Sequence, residues 1–269
     1  MKRALIALSG IIMLTMPVMS FAGVCGDANN DGVINLLDIL YLIDYKYGTP
    51  PGPEPICGPE TGTVTDIDGN TYQTVKIGDQ WWMAENLKVT CYRNGDAIPN
   101  ITDGTTWASL STGAYCEYNN DINNVATYGR LYNWYAVTDS RNIAPAGWHV
   151  PSDAEWKQLE MYLGMSQSEA DATGWRGTDE GGKLKEVGTM HWNSPNTGAT
   201  NESGFTALPG GCRDSNGIFY ELGSHAYFSS STEGSSSSAW DRSLHCIYSL
   251  VHRSNYYKQG AFSVRCVKD

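Results

Sequence analysis

Residues 27–38 have the oxygen-bearing side chains and the spacing of a calcium-binding loop. Counting Asp27 as position 1 places carboxylate or amide side chains at positions 1, 3, 5, 9 and 12, with Gly32 at position 6. Calcium takes about six to eight oxygen ligands, which such a loop supplies from alternate residues and one backbone carbonyl. We therefore expect one calcium ion to be bound by Asp27, Asn29, Asp31, the Val33 carbonyl, Asn35 and Asp38.

The second chemically distinctive segment, residues 229–257, is rich in serine, aromatic, histidine and arginine side chains. Such side chains make adaptable contact surfaces, and Trp and Tyr rings can stack on sugar rings; the alternative is a solvated serine-rich loop beside ordinary strands. Over residues 239–257 neither set of alternate residues is purely polar, so we expect a bulge or loop to break the strand register in that segment. The candidate ligand-binding residues are Trp240, Arg242, His245, Tyr248, His252, Tyr256 and Tyr257.

Sequence motifs of common catalytic sites are absent. The chain contains neither GxSxG nor HExxH, has no CxxC, and its five histidines do not have the spacing of metal ligands. No local motif points to the paired carboxylates of a glycosidase. The sequence therefore favours a non-catalytic protein.

The charge composition of the chain argues against two classes of binding partner. The chain has 18 Lys and Arg against 29 Asp and Glu, a net charge of -11. This acidity argues against nucleic-acid binding by phosphate neutralisation and against docking on anionic lipid. Aromatic residues make up 11% of the chain, which indicates that most of it folds.

The N-terminus predicts secretion. Two basic residues precede an apolar stretch over residues 4–19, and Ser20-Phe21-Ala22 forms a small-x-small cleavage site. The stretch is shorter than the ~20 residues of a membrane-spanning helix and contains Pro17, so we expect a signal peptide over 1–22 and no membrane span. The mature protein is then extracellular or at the cell surface, where most of the seven cysteines should be paired.

The calcium loop requires elements that hold it. An apolar stripe at helical spacing predicts a helix over about 36–47, completing a short unit over 23–48. A stiff, proline-rich linker follows over 49–62. A Cys25–Cys57 bridge would hold the loop, the helix and the linker together. A pattern of short strands and turns begins at residue 63.

The loop and the helix after it resemble one repeat of a dockerin, a module that binds cohesins in extracellular polysaccharide-degrading complexes. Dockerins usually carry two repeats, whereas this chain has one. In that family, loop positions 10 and 11 help to contact the partner. The resemblance implies a cohesin-like or other protein partner that contacts Leu36 and Leu37.

Residues 63–269 carry six ordered motifs: WWMAENL, YGRLYNWYA, GWHVPSDAEW, GFTALPGG, YFSSSTE and AFSVRCVKD. These motifs are similar to those of the Fibrobacter succinogenes major paralogous domain family. That family resembles C-type lectin-like and sulfatase-modifying domains. The resemblance implies an α+β fold, with small antiparallel sheets and two helices, and it implies little about activity. Capping boxes at Ser152/Glu155 and Ser166/Glu169 predict the two helices.

The resemblance also bears on the cysteines and on function. We expect a structural Cys212–Cys246 bridge rather than the redox-active cysteines of sulfatase-modifying enzymes, and Cys116–Cys266 because lectin-like folds commonly tie the last strand to an earlier segment. The leading hypothesis is a secreted, non-catalytic protein that recognises carbohydrate or another surface ligand. Two alternatives stay open: a polysaccharide-degrading enzyme or its accessory subunit, and a hypervariable ligand-display protein.

Overall fold

The computed structural model describes residues 59–269, together with Leu36, Ile39, Leu40, Ile43 and Lys46, which are helical and exposed. The chain divides into two compact units, Met1–Gly58 and Pro59–Asp269. The calcium ligands, Leu37, the predicted Cys25–Cys57 bridge and the signal peptide lie outside the described residues. Within the described part of the chain, no helix has the length and apolar character needed to cross a membrane.

The first sheet of the larger unit has five strands. Its hairpin turns at Asp68-Gly69, as predicted, because the Asp66 carboxylate accepts hydrogen bonds from the Asp68 and Asn70 amides and Gly69 adopts a φ of 86°. The strands are β1 (Thr61–Thr65), β2 (Thr71–Ile77), β3 (Gln80–Met83), β6 (Trp148–His149) and β14 (Val267–Lys268). Their order in the sheet is β1-β2-β3-β14-β6.

The second sheet has nine strands and contains the segment that the sequence singled out. Its strands are β4 (Tyr115–Cys116), β5 (Leu131–Asn133), β7 (Gly174–Arg176), β8 (Gly210–Arg213), β9 (Phe219–Leu222), β10 (His225–Glu233), β11 (Ser238–His245), β12 (Val251–Tyr257) and β13 (Ala261–Phe262). The order is β4-β5-β13-β8-β10-β11-β12-β7, and β9 pairs with β8. Only the β10–β8 pairing is parallel, and a bulge interrupts β10 between Ser229 and Glu233.

Both predicted helices are present, and four short ones accompany them between residues 59 and 269. Ser152 with Glu155, and Ser166 with Glu169, form the two capping boxes. The helices are α1 (Gly104–Ala108), α2 (Val125–Tyr128), α3 (Trp134–Val137), α4 (Asp153–Leu163), α5 (Gln167–Asp171) and α6 (Glu180–Leu184); Tyr118–Asn120 and Ile122–Asn124 are 3₁₀ turns. The unit is therefore a mixed structure in which strands predominate.

The main hydrophobic core lies between α4 and the β10–β11–β12 part of the second sheet. Trp156 on α4 packs against Trp82 and Phe228, with ring centroids 4.8 and 5.7 Å away. Leu159 and Leu163 lie on the same buried face of the helix, as the sequence predicted. One face of β10, β11 and β12 is thus covered by α4, which leaves their other face as the candidate site.

The five cysteines of the described residues are free thiols, so neither Cys212–Cys246 nor Cys116–Cys266 is bridged. Cys116 and Cys266 belong to two different hydrophobic clusters, and Cys246 belongs to a third. Burial raises the pKa of the Cys116 and Cys212 thiols to about 12. These buried cysteines pack as small apolar side chains. Cys91 is half-buried and also free.

Candidate functional site

The face of the second sheet that points away from α4 carries a group of aromatic and histidine side chains. Directly paired residues in neighbouring antiparallel strands share a face. One such row runs Tyr227, Ser243, His252 and Trp175 across β10, β11, β12 and β7, and His225 pairs with His245 in the next row. We call this surface the aromatic face; its members are Trp175, His225, Tyr227, His245, Tyr248, His252 and Tyr256.

Close ring contacts connect these side chains. The Trp175 ring centroid lies 4.7 Å from that of Tyr248 and 4.8 Å from that of His252. The His225 and His245 rings meet edge to face at 3.9 Å, and Tyr227 stacks on His225 at 5.2 Å. Tyr248 is exposed and the other members are half-buried, so ring surfaces are both fixed in place and reachable from solvent.

The aromatic face carries little charge at neutral pH. Burial lowers the pKa of His225, His245 and His252, so all three rings are neutral there. His225 Nδ1 lies 2.9 Å from a carboxylate oxygen of Glu221. None of the seven members is a lysine or arginine, and such a surface suits an uncharged ligand that stacks on rings.

Asp241 lies on the same side of the sheet, one row further along, and is almost fully buried. Its only side-chain hydrogen bond within the described chain comes from the Ser254 hydroxyl at 2.8 Å, and no basic side chain forms an ion pair with it. Burial therefore raises the pKa of this carboxyl to about 7. The sheet beside the aromatic face thus contains a buried carboxyl group, that of Asp241, which is about half protonated near pH 7.

The opposite face holds the arginines. Arg242 Nε lies 2.6 Å from a Glu160 carboxylate oxygen and its Nη1 lies 2.9 Å from Asp153. Arg253 binds Asp153 through two nitrogens at 2.9 and 2.8 Å, and Arg176 binds Glu160 at 2.8 Å. All five side chains are buried against α4. Arg242 therefore holds the core together and is not accessible to a ligand, which corrects its assignment from the sequence.

The structure divides the other predicted ligand residues. His245, Tyr248 and His252 come together on the aromatic face, whereas Trp240 lies on the opposite side, its ring centroid 3.6 Å from the Arg253 guanidinium carbon. Tyr256 lies on the aromatic face, next to Phe262, and its hydroxyl donates to Asp214 at 2.8 Å. Tyr257 is exposed, but its position in β12 places it on the side of the sheet opposite the aromatic face.

Sequence reasoning missed three members of the aromatic face, Trp175, His225 and Tyr227. The alternation of polar and apolar residues from 225 to 229 could have identified His225 and Tyr227, since Ala226 and Phe228 are core residues. Trp175 lies on a three-residue strand far along the chain, and only the β12–β7 pairing brings it beside His252. No local signal in the sequence indicates that pairing.

Lys185 anchors the loop that carries Tyr248. Its side chain is fully buried, and its ammonium donates to the carbonyls of Tyr248, Thr197 and His245 at 2.8, 2.9 and 3.1 Å. No carboxylate compensates this charge within the described chain, and burial lowers the pKa of Lys185 to about 8. These three hydrogen bonds from Lys185 thus hold the loop over 246–250 against the core.

Comparison with known proteins gives one match. The model of the Fibrobacter succinogenes major domain matches residues 75–268, which covers most of the chain and both sheets. No curated protein and no solved structure matches. Over residues 59–269 and the five described helical residues, no group of three or more His, Cys, Asp or Glu side chains is arranged to hold a metal ion.

Proposed function

The chain belongs to the Fibrobacter succinogenes major domain family, and we propose that it is a secreted, non-catalytic binding protein that recognises carbohydrate through the aromatic face. We also propose that its mixed sheets and helices form a C-type lectin-like domain. The observation that carries the function is the segregation of side chains across one sheet. The aromatic face, which has no lysine or arginine, lies on one side, and the network of arginines and carboxylates lies on the side covered by α4.

Three properties of the aromatic face support a saccharide ligand. Trp175 and Tyr248 offer ring surfaces that can stack on the apolar face of a sugar. His225 and His245 each use Nδ1 within the chain, for Glu221 and for the Ile247 amide, so each leaves one ring nitrogen for a ligand hydroxyl. The absence of lysine and arginine from the face favours neutral glycans over strongly anionic ligands.

The test is a glycan array probed with the whole mature chain, followed by titration of the best glycan. The double variant Trp175→Ala, Tyr248→Ala should weaken binding at least roughly tenfold, since aromatic anchors dominate such interfaces. Tyr257→Ala is the matched control, because Tyr257 is 60% exposed and lies off the face. Unchanged binding in the double variant, with an unchanged melting temperature, would contradict the proposal.

We further propose that residues 27–38 bind one calcium ion and that the helix after them docks on a cohesin-like or other protein partner. Support comes from the ligand spacing and from Leu36, which is 67% exposed. Asp31→Ala should strongly weaken calcium uptake measured by calorimetry, with Asp66→Ala as the control outside the loop. Equal calcium uptake by the wild type and Asp31→Ala would contradict the calcium proposal.

A second candidate function is a hypervariable display protein, and the two-sided sheet favours it. No side chain of the aromatic face forms an ion pair or a hydrogen bond with the arginine network, so these residues can change without removing a core ion pair. Coding sequences from close strains should then differ at His245, Tyr248 and His252 while keeping Arg242 and Arg253. Equal variation on both sides of the sheet would contradict this candidate.

A further inference from the structure

We propose that a second site, a cleft of about 390 Å³ outside the aromatic face, binds a neutral saccharide. Its walls come from two loops and from the end of α3 with the residues after it. The lining residues are Ala97, Pro99, Ser111, Thr112, Gly113, Tyr135, Thr138, Asp139 and Arg141. None of them belongs to the aromatic face, so this proposal stands apart from the proposed function.

Three hydroxyl groups in the cleft are uncommitted. The side chains of Ser111, Thr112 and Tyr135 make no hydrogen bond to another described residue. The loop that carries the first two is held in place, because the Thr112 carbonyl accepts a hydrogen bond from the Asn133 amide at 2.9 Å. A hydroxyl can both donate and accept, and sugar hydroxyls need partners of this kind.

The charges of the cleft are already paired with each other. The Arg141 guanidinium forms two hydrogen bonds to the Asp139 carboxylate at 2.9 and 2.8 Å and one to Asp96 at 3.1 Å. These hydrogen bonds lower the pKa of Asp139 to about 2, so the carboxylate stays ionised. An anionic ligand would meet Asp139 and a cationic ligand would meet Arg141, which leaves a neutral ligand as the best fit.

A buried tyrosine supports one wall of the cleft. Tyr92 is fully buried, and its hydroxyl makes no hydrogen bond. It lies against Gly113 in the cleft wall, so close that a Cβ at Gly113 would be 2.2 Å from it. Tyr92 therefore packs behind Gly113 and supports this wall, and its hydroxyl, which is sealed from solvent, is not a contact for a ligand in the cleft.

Size and shape agree with one or two sugar rings. Small-molecule sites have volumes of about 300–1,000 Å³, and this cleft falls near the lower limit. Tyr135 and Pro99 supply the apolar surface on which a sugar ring can lie, while the hydroxyls and the Arg141 guanidinium surround it with polar groups. The cleft therefore combines the two kinds of contact that a pyranose offers.

The experiment titrates the whole mature chain with glucose, cellobiose and glycerol, and with glucuronate and glucosamine as charged counterparts. We expect the neutral sugars to bind more tightly than glycerol and than either charged sugar. The double variant Thr112→Val, Tyr135→Phe keeps the shape of the cleft and removes two hydroxyls. It should weaken sugar binding about tenfold, given the usual worth of two hydrogen bonds.

Tyr257→Ala, which lies outside both the cleft and the aromatic face, is the matched control and should leave the binding of these small sugars unchanged; Tyr248→Ala tests whether they bind on the aromatic face instead. Three outcomes would overturn the proposal: no sugar binding by the wild type, tighter binding of a charged sugar, or loss of binding in Tyr248→Ala but not in Thr112→Val, Tyr135→Phe. The last outcome would place the small sugars on the aromatic face. That result would support the proposed function while rejecting the cleft.

Discussion

Asp241→Asn is the substitution for which the structure makes the sharpest quantitative prediction. The wild-type carboxyl is buried without a counter-ion, and its pKa rises from 3.8 to about 7. Each tenfold change in proton affinity is about 1.4 kcal/mol, so ionising Asp241 costs the folded state about 4 kcal/mol more than the unfolded state. An asparagine carries no charge and can still accept the hydrogen bond from Ser254.

The sign of the pH dependence follows from the raised pKa. Between about pH 4 and 7 the folded state keeps the proton that the unfolded state releases, so wild-type stability falls as pH rises through this window. The variant lacks this loss. Its advantage in the free energy of unfolding should therefore grow by about 3 kcal/mol between pH 5 and pH 8.

Urea denaturation of both proteins at pH 5 and pH 8 measures this difference. Asp153→Asn is the matched control, because Asp153 is ionised between two arginines and its pKa is lowered, chiefly by Arg253 and Arg242 working against its burial. That control should be destabilised at both pH values. An advantage of Asp241→Asn that is the same at pH 5 and pH 8 would refute the view that Asp241 is a buried, uncompensated carboxyl.

Three further predictions concern the arginine network, the Lys185 anchor and the cysteines. Arg242→Met should lower the free energy of unfolding by about 3–5 kcal/mol, because it leaves buried carboxylates without a partner; a change below about 1 kcal/mol would contradict the assigned pairing. Lys185→Met should speed hydrogen exchange in residues 246–250, and it should abolish the rise in wild-type stability between about pH 8 and 10.5 that the lowered Lys185 pKa produces. Alkylation after unfolding without reductant should modify all five described cysteines, and protection of any one of them would show a disulfide.

Local patterns in the sequence predicted the local structure well. The capping box at Ser152 and Glu155 identified the start of α4, because both reciprocal hydrogen bonds form between neighbours in sequence. The hairpin around Gly69 was predictable for the same reason, since its turn depends on residues within a few positions. The other four helices were not predictable, because they lack a capping box and segments of four or five residues have too few positions to show a helical period.

The candidate site was predictable only in part, since it depends on pairing between distant segments. Counting along the chain puts Arg242 and Arg253 in opposite alternation sets, yet the β11–β12 register pairs them directly. The loop over 246–250 interrupts the two strands, and the pairing of Ser243 with His252 reverses the alternation, so odd-numbered side chains of β11 and even-numbered ones of β12 share a face. The structure thus confirms the predicted break in register. The sequence did not show where the break lies, and its position decides which residues face a ligand.

The same reversal explains how one sheet can serve stability and binding separately. In β11 the even-numbered side chains face α4, whereas in β12 the odd-numbered ones do, so Arg242 and Arg253 meet the same Asp153 carboxylate. The remaining set in each strand, including His245 and His252, is excluded from that network. Substitutions on the aromatic face therefore change ring surfaces without leaving a buried charge unpaired, and we expect the fold to tolerate many different ligand surfaces there.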